Sequence, residues 1–209
     1  AHGDAVCQTA HRADCPFPQE MRYELPGLVI DNCAMAGRSS KTFREEGRLD
    51  DIAAHIRPGD LLVVSFGHND ANRAKAERYV PADAFGESLR PFWDAARSHG
   101  AVCIFASPVA MREFDEAGVC HPSFAAYREA MRAFAAEVGA PFIDLGAATA
   151  AANTAFGAER CKARYMWVGA KQDNSHQQNA GACRTAQAFV QQLLQDTTPA
   201  LDVLRANFK

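Results

Sequence analysis

The stretch Leu61 to Asp70 reads LLVVSFGHND, and it limits the possible folds more than any other part of the chain. Four apolar residues in a row, two of them β-branched valines, suit a strand buried on both faces of a parallel sheet. The run then gives way to Gly67, His68, Asn69 and Asp70. Polar side chains at the carboxyl end of such a strand lie where open α/β sheets hold ligands. Asn and Asp also favour turns through local hydrogen bonds, so a plain capped turn accounts for the same residues.

Neighbouring stretches repeat the pattern. Leu28 to Asn32 (LVIDN) reads as a short strand leading into small residues and Gly37, where a backbone N–H can approach a ligand closely. Leu49 to Ile56 forms a helical turn or two, stopped by Pro58-Gly59. Phe85, Leu89, Phe92, Trp93 and Ala96 recur at helical spacing, with a kink expected at Pro91 and an end at Gly100. Ala101 to Ala106 (AVCIFA) is the next buried strand, followed by Ser107-Pro108-Val109 and Arg112. Phe124, Tyr127, Met131, Phe134 and Val138 mark a second amphipathic helix closed by Gly139. Pro141 to Leu145 reads as a strand, and a final helix spans Ala180 to Leu194, with Ala186, Phe189, Val190, Leu193 and Leu194 on one face. Strands alternating with helices at this spacing imply parallel βαβ units. The expected fold class is α/β, a three-layer α/β/α sandwich around a central parallel sheet, in a single domain over residues 1–209.

Charge excludes some partners. A net charge of −3 and a pI near 6.2 leave no electrostatic footprint for nucleic acid or an anionic membrane. No apolar run approaches the ~20 residues of a bilayer span, and no signal-peptide pattern is seen. The seven cysteines include no CxxC pair, which argues against a zinc site or a complete disulfide framework and leaves room for one or two bridges. Cys103 is expected in the core. The balance favours a reduced, cytoplasmic protein over a secreted one.

Asp173-Asn174-Ser175-His176 precedes the last helix. A carboxylate three residues ahead of a histidine can fold back in a loop and accept a bond from the ring Nδ1–H, fixing the tautomer and stabilising the imidazolium. The same residues also make a good N-cap cluster. Asn69 offers a side-chain N–H, and Gly37 a backbone N–H, to a developing oxyanion. Gly3-Asp4-Ala5, Gly37, Asn69 and the Asp173/His176 pair all fall at loops expected on one edge of the sheet.

Six blocks follow one another along nearly the whole chain: GDAVCQT at Gly3 to Thr9, Pro18-Gln19, NCAMAGRSSKTFREEGRLDDI from Asn32, GHND at Gly67 to Asp70, SPVAMREFDEAG at Ser107 to Gly118, and DNSHQQNAGA at Asp173 to Ala182. In these blocks the sequence resembles the SGNH (GDSL-type) hydrolases, which have a flavodoxin-like fold, and within them the rhamnogalacturonan acetylesterase branch. The resemblance implies a serine-type esterase that removes acetyl groups from poly- or oligosaccharides such as rhamnogalacturonan or pectin, with no metal or organic cofactor. It makes His176 the general base and acid and Asp173 its orienting carboxylate. Gly37, Asn69 and the backbone N–H of Ala5 would hold the oxyanion, and position 5 would carry the nucleophilic serine.

Position 5 is alanine. A methyl group cannot attack an acyl carbon, so three readings stand: an introduced Ser→Ala change, a natural carbohydrate-binding protein without catalysis, or a different nucleophile. Cys7 is close in sequence but would point elsewhere, and Ser39 and Ser40 fit better as partners of backbone groups. The intact remaining blocks favour the first reading. A lipase or thioesterase of the same family is a further alternative. Two departures bear on the site: only Ala1 and His2 precede Gly3, where the family places a strand, and the branch's G-W-x-Q helix is missing between Gln19 and Leu28.

Asp4, Arg38, His68, Arg112 and Trp167 are candidate substrate contacts. For His68, Arg112 and Trp167, as for the neighbouring Asp70 and Tyr165, a plainer role also stands. His68 can brace its loop, Arg112 can pair with Asp115 or Glu116, Asp70 can hold the GHND loop through backbone bonds, and Tyr165 and Trp167 can pack rather than stack on a sugar.

Overall fold

A computed structural model describes residues 31–206, without the side chains of Val203 and Leu204. Asp4 and Ala5 lie outside the described residues, as do Cys7, Cys15 and most of the strand expected at Leu28 to Asn32; the last two residues of that stretch, Asp31 and Asn32, carry no regular structure. The chain divides into two compact units, each assembled from separate stretches.

The first unit takes residues 33–108 and 124–143. Its sheet is parallel, in the order β1 (Leu61–Val64), β2 (Val102–Ala106), β3 (Phe142–Ile143) among the described residues. Leu61 pairs with Val102 and Val64 with Phe105, while Phe105 continues to Phe142. Helices α1 (Ser40–Glu45) and α2 (Arg48–His55) precede β1, α3 (Ala82–Ser98) links β1 to β2, and α4 (Ala125–Val138) leads into β3. This parallel sheet with intervening helices makes the fold α/β.

The core follows from helical and strand periods. Phe85, Leu89, Phe92 and Ala96 of α3 and Met131 and Phe134 of α4 are buried against Val64, Phe66, Cys103 and Phe105. Phe66 meets Phe92 and Phe43 at ring-centroid distances of 5.1 and 5.6 Å, tilted and edge-on. Pro91 sits inside α3, and Gly139, at φ +68°, ends α4 with its N–H on Ala135 and Ala136 carbonyls. Cys103 is buried as expected, and burial pushes its thiol up to about 12, which keeps it protonated and inert.

Strand β1 departs from the expectation of burial on both faces. Val64 is fully buried but Val63 is 39% exposed. Successive side chains in a strand point to opposite faces, so the neighbours Val63 and Val64 differ in exposure.

The second unit takes residues 109–123 and those from 144 onward, together with the preceding residues 31–32. The expected strand Pro141 to Leu145 ends early, at Ile143, because Asp144 caps a helix that the apolar pattern does not reveal. The Asp144 carboxylate accepts from Ala147 N at 3.3 Å, and α5 (Leu145–Phe156) begins there. A 3-10 turn at Arg160–Arg164 then leads into an antiparallel hairpin of β4 (Tyr165–Val168) and β5 (Lys171–Gln177). The DNSH residues therefore lie on a strand, not in a loop. Gly169, at φ +58°, makes the tight hairpin connection with Ala170.

Helix α6 (Asn179–Gln195) follows, then a 3-10 turn at Pro199–Leu201 and α7 (Asp202–Ala206). The buried side of α6 is set by Gly181, Ala182, Thr185, Ala188 and Leu193. Ala186, Phe189 and Val190 are only partly buried and Leu194 is 42% exposed, so the face expected from the apolar residues alone is rotated. Small residues allow α6 to approach its neighbours closely: a Cβ at Gly181 would overlap the Arg164 carbonyl.

Candidate active site

Within the first unit, the GHND turn after β1 is built around Asp70. This carboxylate is fully buried and accepts from Ser40 N at 2.9 Å, Ser40 Oγ at 2.6 Å and Gly67 N at 3.0 Å. Burial raises its pKa above the ordinary carboxylate value, although the bonds from Ser40 and Gly67 oppose that rise. Asp70 thus holds its own loop and also fastens α1 to it. Gly67 is required here, since its φ is +134° and a Cβ would run into the Pro108 ring.

Asn69 and Gly37 are brought together by a residue that the sequence motifs do not mark. One nitrogen of Arg78, Nη1, donates to Asn69 Oδ1 and to the Gly37 carbonyl, each at 3.0 Å. Asn69 Nδ2 in turn donates to the Arg38 carbonyl at 3.2 Å. The Arg38 side chain turns to Glu46, with Nε 2.9 and 3.0 Å from its two carboxylate oxygens, and to Ala36 O at 3.0 Å. Bonds from Arg38 and Arg48 hold the Glu46 carboxyl below its ordinary range. His68 packs edge-on against Phe124 with ring centroids 4.9 Å apart. Phe124 itself adopts φ +55° at the N-cap of α4, a conformation uncommon for a non-glycine residue.

In the second unit, β5 presents Asp173 and His176. Asp173 Oδ2 lies 2.8 Å from His176 Nδ1, and Oδ1 accepts the backbone N–H groups of Ser175 at 2.9 Å and His176 at 3.0 Å. Burial works to raise the Asp173 pKa, but those backbone bonds and the His176 ring outweigh it, and the carboxyl stays below its usual value. Lys171 Nζ adds a positive charge 3.5 Å from Oδ2. A carboxylate kept ionised at Nδ1 leaves His176 Nε2 as the ring nitrogen able to take up and return a proton.

Arg112 and Trp167 also meet on this hairpin, through Asn174. Trp167 Nε1 donates to Asn174 Oδ1 at 2.8 Å, Arg112 Nη1 reaches the same oxygen at 3.3 Å, and Arg112 N donates to the Asn174 carbonyl at 2.7 Å. The guanidinium also donates to Ala158 O and lies 4.7 Å from the Trp167 ring centroid, while Lys162 sits 4.8 Å from that ring. The expected pairing of Arg112 with Asp115 or Glu116 is replaced by a long contact with Glu159 at 3.9 Å; Asp115 pairs instead with His121 at 2.7 Å. Among the described residues, no three His, Cys, Asp or Glu side chains gather into a metal-binding group.

Two chemical capacities thus stand on the described residues: a histidine held by an ionised carboxylate, and an asparagine whose amide is fixed at both ends. The signal for the first is the three-residue spacing of Asp173 and His176. Arg78 has no comparable signal, because it lies in an irregular stretch between Asn69 and α3 and belongs to none of the sequence blocks quoted above.

A sequence profile of the GDSL-like lipase/acylhydrolase family matches residues 2–181. Rhamnogalacturonan acetylesterase RhgT of Bacillus subtilis is 35% identical over 187 residues, which cover 85% of this chain and 79% of the relative. The probable rhamnogalacturonan acetylesterase YesY of the same organism is 39% identical over 156 residues, covering 74% and 71% of the two chains. Among solved structures, protein YxiM of Bacillus subtilis superposes with a TM-score of 0.77 at 28% identity; the match takes in 88% of this chain and about half, 51%, of YxiM. A match extending from the first residues through His176 into α6, with an α/β fold beneath it, decides the matter: the chain belongs to the GDSL-like lipase/acylhydrolase family of ester hydrolases.

Proposed function

We propose that this chain is a carbohydrate acetylesterase whose nucleophile position holds alanine. Its acetylated substrates would be poly- or oligosaccharides of the rhamnogalacturonan or pectin class. The reading is supported most directly by the Asp173–His176 pair, 2.8 Å apart on a strand that a family-wide match includes. With serine at position 5, the hydroxyl would attack the acetyl carbonyl while His176 Nε2 takes its proton. Asn69 Nδ2–H and the N–H groups of Gly37 and residue 5 would stabilise the oxyanion. His176 would then protonate the departing sugar hydroxyl, and water would clear the acetyl-enzyme. Asp173 keeps the ring in the productive tautomer and balances the imidazolium. Residues 1–209 would act as one catalytic domain, with Asp4, Arg38, His68, Arg112 and Trp167 nearest the sugar.

Alanine at position 5 also favours a second reading, a carbohydrate-binding protein that does no chemistry. Hydrolysis of p-nitrophenyl acetate by the Ala5→Ser protein, beside the chain as it stands, separates the two. The esterase reading expects a rise in kcat/KM of several orders of magnitude, lost again on His176→Ala. No rise with serine would leave binding of the acetylated sugar as the function to test. Comparison of acetyl with longer acyl esters separates an acetylesterase from a lipase or thioesterase.

A further inference from the structure

Asn69 can serve as an oxyanion donor only if its carboxamide turns nitrogen, not oxygen, toward the substrate. The two ends of a carboxamide have nearly the same shape, so packing alone does not choose between them. Hydrogen-bond partners do. A guanidinium is purely a donor and a backbone carbonyl purely an acceptor. Arg78 Nη1 stands 3.0 Å from Asn69 Oδ1, and the Arg38 carbonyl stands 3.2 Å from Asn69 Nδ2. A half-turn of the amide would set N–H against N–H at one end and oxygen against oxygen at the other.

The second hydrogen on the same Arg78 nitrogen goes to the Gly37 carbonyl at 3.0 Å. One nitrogen therefore ties the asparagine to the turn that carries the Gly37 N–H. Arg78 has no carboxylate partner among the described residues, and its Nε is shielded from solvent without an acceptor. A sheltered N–H without an acceptor opposes stability, so the Nε end of this half-buried side chain adds nothing to folding.

We propose that Arg78 is a positioning residue that sets the oxyanion donors, orienting the Asn69 amide and fixing the Gly37 turn. This rests on the esterase reading above, in which those two groups receive the oxyanion. Arg78 acts through them and does not itself touch the acyl group. Arginine suits the role better than lysine because its planar fork gives two hydrogens on one nitrogen in fixed directions.

Two measurements test the assignment. The first uses the chain as it stands: the side-chain amide signals of Asn69 are followed by NMR in the parent, Arg78→Met and Arg78→Lys, with thermal melts and circular dichroism to establish folding. Faster amide-proton exchange and a shifted Asn69 signal in Arg78→Met, partly restored in Arg78→Lys, are expected. The second uses the Ala5→Ser background. There Arg78→Met should lower kcat on p-nitrophenyl acetate by about 10²-fold, the scale of one lost oxyanion donor, with KM changed less than about threefold. Arg78→Lys should recover part of kcat. An unchanged Asn69 signal in folded Arg78→Met, or unchanged kcat, would overturn the proposal. An inactive Ala5→Ser parent would instead count against the esterase reading, and the Asn69 signals would still decide what Arg78 orients.

Discussion

Asp173 grips His176 at two places: its Oδ2 meets the ring Nδ1 at 2.8 Å, and its Oδ1 accepts the His176 backbone N–H at 3.0 Å. The carboxylate thus fixes both the ring and the segment of β5 that carries it. In the Ala5→Ser background, Asp173→Asn should lower kcat on the order of 10²–10⁴-fold while KM stays close to the parent's. An amide cannot accept from Nδ1–H and also balance a positive ring. Steady-state kinetics of the double variant checks this, and a kcat within threefold of the parent would speak against the assigned role.

The same carboxyl has a pH signature in stability. Its folded-state pKa lies below the ordinary value, so its contribution is present above that ordinary value and is lost as pH falls through the folded one. The difference in melting temperature between the parent and Asp173→Asn should be full at pH 7. It should shrink below about pH 4, the ordinary carboxylate range. A gap that stays constant down to pH 3 would mean that the ionised form is not what stabilises β5.

Asp70 should behave with the opposite sign. Burial raises its folded pKa, so this group's contribution is fully present below the unfolded value and declines as pH rises through the folded one. Asp70→Asn removes that decline but introduces an N–H2 group that must face either Gly67 N or the Ser40 donors. The loss from an unmatched buried donor is about 1–3 kcal/mol. Urea unfolding at pH 5 and pH 8 measures both effects, and a variant as stable as the parent would contradict the loop-holding role.

On the hairpin, Asn174→Ala should leave Trp167 Nε1 and Arg112 Nη1 without their shared acceptor. We expect a destabilisation of about 1–2 kcal/mol together with a shift in tryptophan fluorescence. Loss of stability without a fluorescence change would place the effect elsewhere.

In the first unit, Leu89 lies fully buried between α3 and the sheet side of the core. Leu89→Ala should cost about 2–5 kcal/mol through lost contacts and a residual cavity. Chemical denaturation reads this directly, and an effect below about 1 kcal/mol would mean that α3 packs less tightly than described.

In α3 and α4, unlike α6, residues with a clear apolar period could be placed from sequence alone. The Phe85–Ala96 and Tyr127–Phe134 positions pointed inward because bulky side chains recurred every three to four residues. Helix α5 escaped because LGAATAAANTAF distributes small residues all round, so only Asp144 and Gly157 marked its ends. Strand β5 escaped for a related reason: KQDNSHQ contains no apolar alternation, and its strand geometry comes from pairing with YMWV across a two-residue turn. At the site, Asp173 and His176 were legible because they stand only three positions apart. Arg78 was not, since its bonds to Gly37 and Asn69 span 41 and 9 residues and depend on where an irregular loop returns.

The interleaving of the two units along the chain has a consequence for synthesis. Every described residue of the first unit has been made once β3 is complete at Ile143, after the 109–123 stretch of the second unit has already emerged. That stretch must wait for α5, the hairpin and α6, all encoded later. In synthesis, Gly37, Asn69 and Arg78 are therefore all made with the rest of the described first unit before the chain reaches Asp173 and His176.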